Sequence, residues 1–342
     1  MPEAHEALTR RIRHQADACA RLGSPFYGTL LEKVAADVEA EGPAWRVLAS
    51  FEQERGRSAL ALRLMGAVHR LVLLGTLSEL ATHYPSTGGD GDPAAAWPLF
   101  RDALMEHRAE VTALLRRGCQ TNEVGRSAAL LGGYLEVAHR THMPLRILEI
   151  GASAGLNLRW DRYRYEALDG AWGDADSPVR FDHAFDVPPP MNRTAEVVER
   201  KGCDVAPIDP TSEEGSLTLR SFVWADQLGR LALLDGAIAL AAEMPVEVER
   251  SDAASFLERE LAAPRAGVAT VVYHSVFMQY VGDEERARID RSIGRAYEQS
   301  TPRAPFFHLS MEPREATFEI RLGDELLGES RAHGTGVVWL VP

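Results

Sequence analysis

Between Leu145 and Asn157 the chain reads LRILEIGASAGLN, a short apolar run that passes into a glycine-bounded turn and then a helical start. The hydrophobic periods on either side of this junction differ, and that change constrains the fold. Before it, apolar positions recur every three or four residues, first Leu8, Ile12, Gln15 and Cys19, then Leu30, Leu31, Val34, Ala35 and Val38, which predicts helix after helix. Breaks fall at Gly23-Ser24-Pro25, at Glu41-Gly42-Pro43 and in the glycine- and proline-rich run 85–93. A helix over 97–117 stops at Gly118, with Arg116 and Arg117 suited to the dipole of its last turn.

After the junction, short apolar runs predict strands at 146–150, 197–203, 246–249, 268–273, 305–311, 317–322 and 337–341, the last two antiparallel. Helical patterns lie between most of them, at 155–161, at 215–243 behind a Thr211–Glu214 capping-box spacing, at 253–261 and at 283–297. The expected architecture is α/β: an all-helical domain or lid over 1–143, then a doubly wound, Rossmann-like, mostly parallel sheet over 144–342 ending in an antiparallel hairpin. The irregular stretch 166–196, with Pro188-Pro189-Pro190, reads as an insertion over the sheet surface.

A glycine turn at the carboxyl end of a strand and the amino end of a helix is where α/β folds bind ligands. Gly151 lets the backbone turn sharply and approach a ligand, Gly155 lets the helix pack closely on the strand, and free helix N–H groups face an anionic group. Glu149 adds a carboxylate at that strand end, suited to the ammonium of a methionine moiety. The segment from Glu149 through Gly151, Ser153 and Gly155 to Asn157 therefore points to S-adenosylmethionine. GASAG also matches the GxSxG nucleophile elbow of serine hydrolases, and Ser153 with Asp252 and His274 would complete a triad on paper. Against that alternative, no HGG-type oxyanion loop lies upstream, and the motif strand is the first of its sheet. A dinucleotide fingerprint would read GxGxxG, which this is not.

A nucleoside site needs a carboxylate at the second strand end for the ribose hydroxyls. Asp204 in RKGCDVAPID is the candidate, with Asp169 and Asp174 as substitutes because Asp204 lies far beyond the usual spacing of about 20 residues. Asp252 follows VEVE and opens a helix, where it serves as an N-cap and is placed to accept from an adenine amine, with the Ala253 N–H on a ring nitrogen. His274 and Ser275 end the strand VATVVYHS, where the reacting group would lie, and His274 is the candidate general base. Glu312 is a further strand-end carboxylate, facing either an acceptor or solvent.

Composition excludes other classes. With 50 acidic against 37 basic residues the formal charge is −13, which repels a phosphate backbone, and the basic-aromatic run WDRYRY also fits a packed helix end. A small-molecule acceptor is expected, without nucleic acid or membrane partners. The apolar window 59–80 is interrupted by Arg63, His69, Arg70 and Glu79 and reads as a buried helix. The first residues contain no continuous apolar segment, so a cytoplasmic protein is expected. Cys19, Cys119 and Cys203 show no ligand spacing, and His139 and His142 have no acidic or cysteine partner nearby in sequence, so no metal is expected.

Several segments together resemble a bacterial family of uncharacterised proteins, the domain of unknown function 2332. They are GSPFY at 23–27, QTNEVGRSAAL at 120–130, LEIGASAGLNLRWDRYRY at 148–165, RKGCDVAPID at 200–209, VWADQLGRL at 223–231, and His274-Ser275. The family's C-terminal half resembles class I methyltransferases, which implies a Rossmann-like fold behind a helical region. Ser153 replaces the middle glycine of the commonest motif and narrows the turn. Within QTNEVGR, Gln120, Asn122, Glu123 and Arg126 are placed either to reach over the cofactor or, for Asn122, to cap a helix. Asp161, Arg162, Tyr163 and Tyr165 form either an acceptor wall or packing between domains.

Overall fold

The computed structural model describes residues 2–54, 59–168, 170–315 and 317–342. The chain forms two compact units, Met1–Thr121 with Glu213–Ala232, and Asn122–Ser212 with Leu233–Pro342. The expected division at 143/144 thus differs from the observed one: the change of unit comes earlier, and a later stretch joins the helical unit.

The helical unit opens with α1 (Pro2–Arg21), α2 (Pro25–Glu39), α3 (Pro43–Leu48), α4 (Leu60–Leu73), α5 (Ser78–Ala81), α6 (Pro93–Glu106) and α7 (Arg108–Leu115). Its interruptions have local causes. Ser24 Oγ accepts the Tyr27 N–H at 3.3 Å with Pro25 starting α2, and Asp92 accepts the Ala94 N–H at 2.8 Å to cap α6. The helix predicted over 97–117 is two helices meeting at His107, whose φ of −105° and ψ of 24° end α6. Leu8, Ile12 and Cys19 of α1 face Leu30, Leu31, Val34, Ala35 and Val38 of α2 in one core, while Gln15 stays at its edge. Each leucine or valine so buried contributes about 1.5–3 kcal/mol.

The remaining helices are α8 (Arg126–Thr141), α9 (Glu213–Phe222), α10 (Leu228–Glu243), α11 (Ala253–Glu260) and α12 (Asp283–Gln299). The single helix predicted over 215–243 is α9 and α10. At the break between them Asp226 turns back to accept from the Ser24 hydroxyl and the Phe26 N–H. The predicted capping box is not made, because Thr211 donates to Asp209 while Glu214 binds Arg70 and Arg117.

Strands occupy the second unit: β1 (Leu145–Ile150), β2 (Arg164–Ala167), β3 (Gly170–Gly173), β4 (Arg180–Phe181), β5 (Phe185–Val187), β6 (Val197–Asp204), β7 (Val248–Arg250), β8 (Ala269–Ser275), β9 (Phe306–Arg314), β10 (Thr317–Leu322), β11 (Glu325–Ser330) and β12 (Val337–Trp339). Nine form one sheet in the order β5-β12-β11-β10-β9-β8-β1-β6-β7. From β7 to β9 all neighbours run parallel, and β10, β11 and β12 continue antiparallel. The chain steps from β1 outward to β6 and β7, then returns to β8 on the other side of β1. That reversal places a topological switch point between β1 and β8.

Three expectations need correction. The segment 166–196 is not wholly irregular: β3-β2-β4 form a second small sheet, and β5 joins the edge of the large sheet against β12. β11, where Gly328 and the two glutamates Glu325 and Glu329 obscure the period-two pattern, separates β10 from β12. After the glycine turn comes a 3-10 helix, Leu156–Arg162, kinked at Arg159, instead of an α-helix. There Arg159 Nη1 takes the Gly155 carbonyl at 2.8 Å, the acceptor that an α-helix would offer to the Arg159 N–H. Among the described residues no helix is long and apolar enough to cross a membrane.

Candidate functional site

Alternation along β1 and β8 sorts their side chains between two faces. Leu148, Ile150 and Val272 pack with Ala253, Phe256 and Leu257 of α11 and Ile289 of α12. Glu149 and Tyr273, register partners across the two strands, point to the opposite face. Glu149 is 3% exposed, and its Oε2 accepts the Tyr273 hydroxyl at 2.8 Å. Burial raises its pKa to about 8; the Tyr273 hydrogen bond opposes the rise, Asp204 adds to it, and the charges of Arg126 and Arg159 oppose it.

Gly151 turns the backbone with φ +70°, and a Cβ there would stand 2.2 Å from the ring of Phe277. Gly155, at φ +65°, has Val248 2.6 Å from the same virtual position. These glycines therefore make room for neighbouring side chains as well as for a turn. Ser153 between them also has a positive φ, +53°, and so does Val276 just past β8. A β-branched residue in that region is strained. Two such positions flank the switch point.

The acids at the next strand ends have structural partners. Asp204 accepts the Ser153 N–H at 2.9 Å and the Ala206 N–H at 2.8 Å, so it ties the glycine turn to the end of β6. Asp252 caps α11 through the Ser255 N–H at 2.9 Å. The Ala253 N–H, expected on an adenine nitrogen, donates to Glu285 at 3.1 Å. Asp174 accepts the Asp176 N–H in an exposed turn, and Asp169 lies outside the described residues.

The polar segment ahead of α8 meets the glycine turn. Asn122 caps the 3-10 helix by accepting the Leu156 N–H at 2.9 Å, Asn157 donates to the Glu123 carbonyl at 3.2 Å, and Arg126 donates to the Ser275 carbonyl at 3.1 Å. Gln120 belongs to the helical unit. Of the residues read as acceptor wall or packing, Tyr163 is fully buried with its hydroxyl on the Leu156 carbonyl, Asp161 forks onto Arg200 at 2.6 and 3.1 Å, and Arg162 is exposed. Trp160 and Tyr165 are fully buried too, so the aromatics of WDRYRY fill core.

His274 shares the α11 and α12 face of β8 and is 3% exposed, with Nδ1 2.7 Å from Glu312. A carboxylate can only accept, so the imidazole donates from Nδ1. Tyr273, Phe277 and the role of Glu312 as a partner to His274 were not legible as site features, because the β1–β8 and β8–β9 pairings that bring them together are non-local.

A cleft of about 850 Å³ opens at the opposite end of the sheet, lined in part by His139, His142, Arg193 and Glu196. Among the described residues no group of three or more His, Cys, Asp or Glu side chains is arranged to hold a metal ion. No curated protein and no solved structure matches the chain. A family model does match, over residues 9–339, and by it the chain belongs to the family described as uncharacterized protein conserved in bacteria, DUF2332.

Proposed function

We propose that the carboxyl ends of β1, β6, β7 and β8 bind S-adenosylmethionine and that the protein transfers its methyl group to an O or N atom of a small molecule, on a methyltransferase-type Rossmann fold. The observation that carries this reading is Glu149: a fully buried carboxylate beside a glycine turn, at the switch point, with its pKa raised to about 8. A carboxylate so placed is ionised and stabilised by a ligand cation, and the methionine ammonium is one. Asp204 retains lone pairs for the ribose hydroxyls beyond its two turn contacts, and Asp252 likewise for the adenine amine. Adenine contact at Ala253 requires Glu285 to yield its hydrogen bond.

Bound S-adenosylmethionine supplies an electrophilic methyl group on a sulfonium. The chain's residues would align the acceptor in line and exclude water. His274, holding its Nδ1 proton on Glu312, would take a proton at Nε2 from a hydroxyl acceptor. A carboxylate acceptor would need no base.

The test is calorimetric titration with S-adenosylmethionine and S-adenosylhomocysteine, with NAD as control and Gly151→Val in parallel. Micromolar binding lost in the variant is the expected result. Because a side chain at Gly151 meets both a positive φ and the Phe277 ring, a melting curve must show that the variant still folds. Absence of binding by the wild type removes the reading and brings Ser153 forward. The hydrolase alternative keeps one observation, the positive φ of Ser153, and its check is labelling of Ser153 by a fluorophosphonate. Tight cofactor binding without turnover on any extract would identify a non-catalytic binder.

A further inference from the structure

Three hydrogen bonds converge on one oxygen at the carboxyl end of the sheet. Glu312 Oε1 accepts from His274 Nδ1 at 2.7 Å, from the Phe277 N–H at 2.9 Å and from the Met278 N–H at 3.2 Å. Burial opposes the charge of Glu312, but His274 and the two N–H groups outweigh it and hold the carboxyl below its usual range. The ring of His308 lies 5.1 Å from that of His274; burial, then repulsion by His274, lower its pKa to about 3, so it stays neutral and offers no competing cation.

The turn so held is strained at Val276, φ +53°, a conformation that persists only where its surroundings enforce it. Arg126 on the Ser275 carbonyl and the Val276 N–H on the Met311 carbonyl secure its entry, and Glu312 secures its exit. The result is the Phe277 ring set into the space left by the missing Cβ of Gly151.

We propose that Glu312 is the positioning residue of the glycine-turn site: its three hydrogen bonds hold the turn at 276–278, make the Phe277 ring the wall that a ligand on Gly151 meets, and fix His274 in its Nδ1–H form. The ligand part rests on the cofactor reading above; the clamp itself does not.

The experiment compares wild type, Glu312→Ala and Glu312→Gln by amide hydrogen exchange, by ¹⁵N resonances of the imidazoles and by titration with S-adenosylhomocysteine. In Glu312→Ala, exchange at Phe277 and Met278 should rise roughly tenfold to a hundredfold, as expected for loss of hydrogen bonds to a charged acceptor. The His274 Nδ1–H signature should be lost and ligand affinity should fall. Glutamine, which keeps an acceptor oxygen, should restore most of all three. Unchanged amides and imidazole in Glu312→Ala overturn the clamp. Lost protection with unchanged ligand affinity overturns the positioning role. If the wild type binds no S-adenosylhomocysteine, the cofactor reading fails, while amides and imidazole still decide the clamp. Should Glu312→Ala not fold, Phe277→Ala tests the wall with the carboxylate in place: altered affinity supports it, and unchanged affinity overturns it.

Discussion

β1 buries two ionisable side chains, Arg146 and Glu149, on opposite faces, 2% and 3% exposed. Arg146 is compensated on the spot: its guanidinium reaches Glu199 at 3.1 Å and Glu260, and Lys201 joins the same carboxylates. Glu149 has a phenol for its hydrogen bond and a pKa raised to about 8. A buried charge matched in full is a structural element, whereas one kept near its titration point is costly to the fold and marks a place where function sets the residue. The cleft at the amino ends of the strands makes the same point from another side, since it has the volume but Arg193 there is already bound to Glu136.

The largest expected effect is on pH dependence. The folded state keeps a proton on Glu149 that the unfolded chain releases, so the stabilisation is complete below pH 4.5, falls as pH rises and is gone above about pH 8. Raising the pKa from 4.5 to about 8 corresponds to on the order of 5 kcal/mol across that window. Glu149→Gln should remove this slope and be the more stable protein at pH 8, by urea unfolding at pH 5 and pH 8, while losing S-adenosylmethionine binding. An unchanged slope would place the proton elsewhere and dissolve the contrast.

Arg146→Met tests the compensated partner. Removing one side of a buried ion pair costs about 3–5 kcal/mol, and Lys201 beside both carboxylates puts the expectation near the lower end, about 3 kcal/mol. Ligand affinity should not change. Gain of stability by urea unfolding would show the network to be dispensable, so that neither charge on β1 is structural.

Much of the fold was legible because it is written in local periods. The stripe of α1 and α2, the breaks at Ser24-Pro25 and Gly42-Pro43, and the parallel strands β1, β6, β7, β8 and β9 follow from spacing and caps. What failed depended on partners distant in sequence: Arg159 drawn to the Met244 carbonyl, the break after α9 shaped by Asp226, and β5 finding β12. The same divide runs through the site. GASAG, Glu149, Asp204 and Asp252 sit at strand ends that apolar runs predict. The Tyr273, Phe277 and Glu312 contacts exist only once β8 lies between β1 and β9.

The smallest effect decides how Glu149 and Tyr273 share their proton. With the carboxylate ionised, the phenol must donate, and its hydrogen bond pulls the Glu149 pKa down against the larger push of burial. Tyr273→Phe should therefore raise that pKa further, by about one unit if the bond contributes about 1.5 kcal/mol to the charged form. The shift is read from the Glu149 carboxyl ¹³C resonance on titration. The folded protein would then lose stability over a wider pH range, since the proton is held to higher pH in the native state while the unfolded chain is unchanged. A fall in the pKa would mean the reverse arrangement, a protonated Glu149 donating to the phenol oxygen. In that case the neutral acid is the form the fold is built around, and a ligand cation would have to displace a proton already held by two groups.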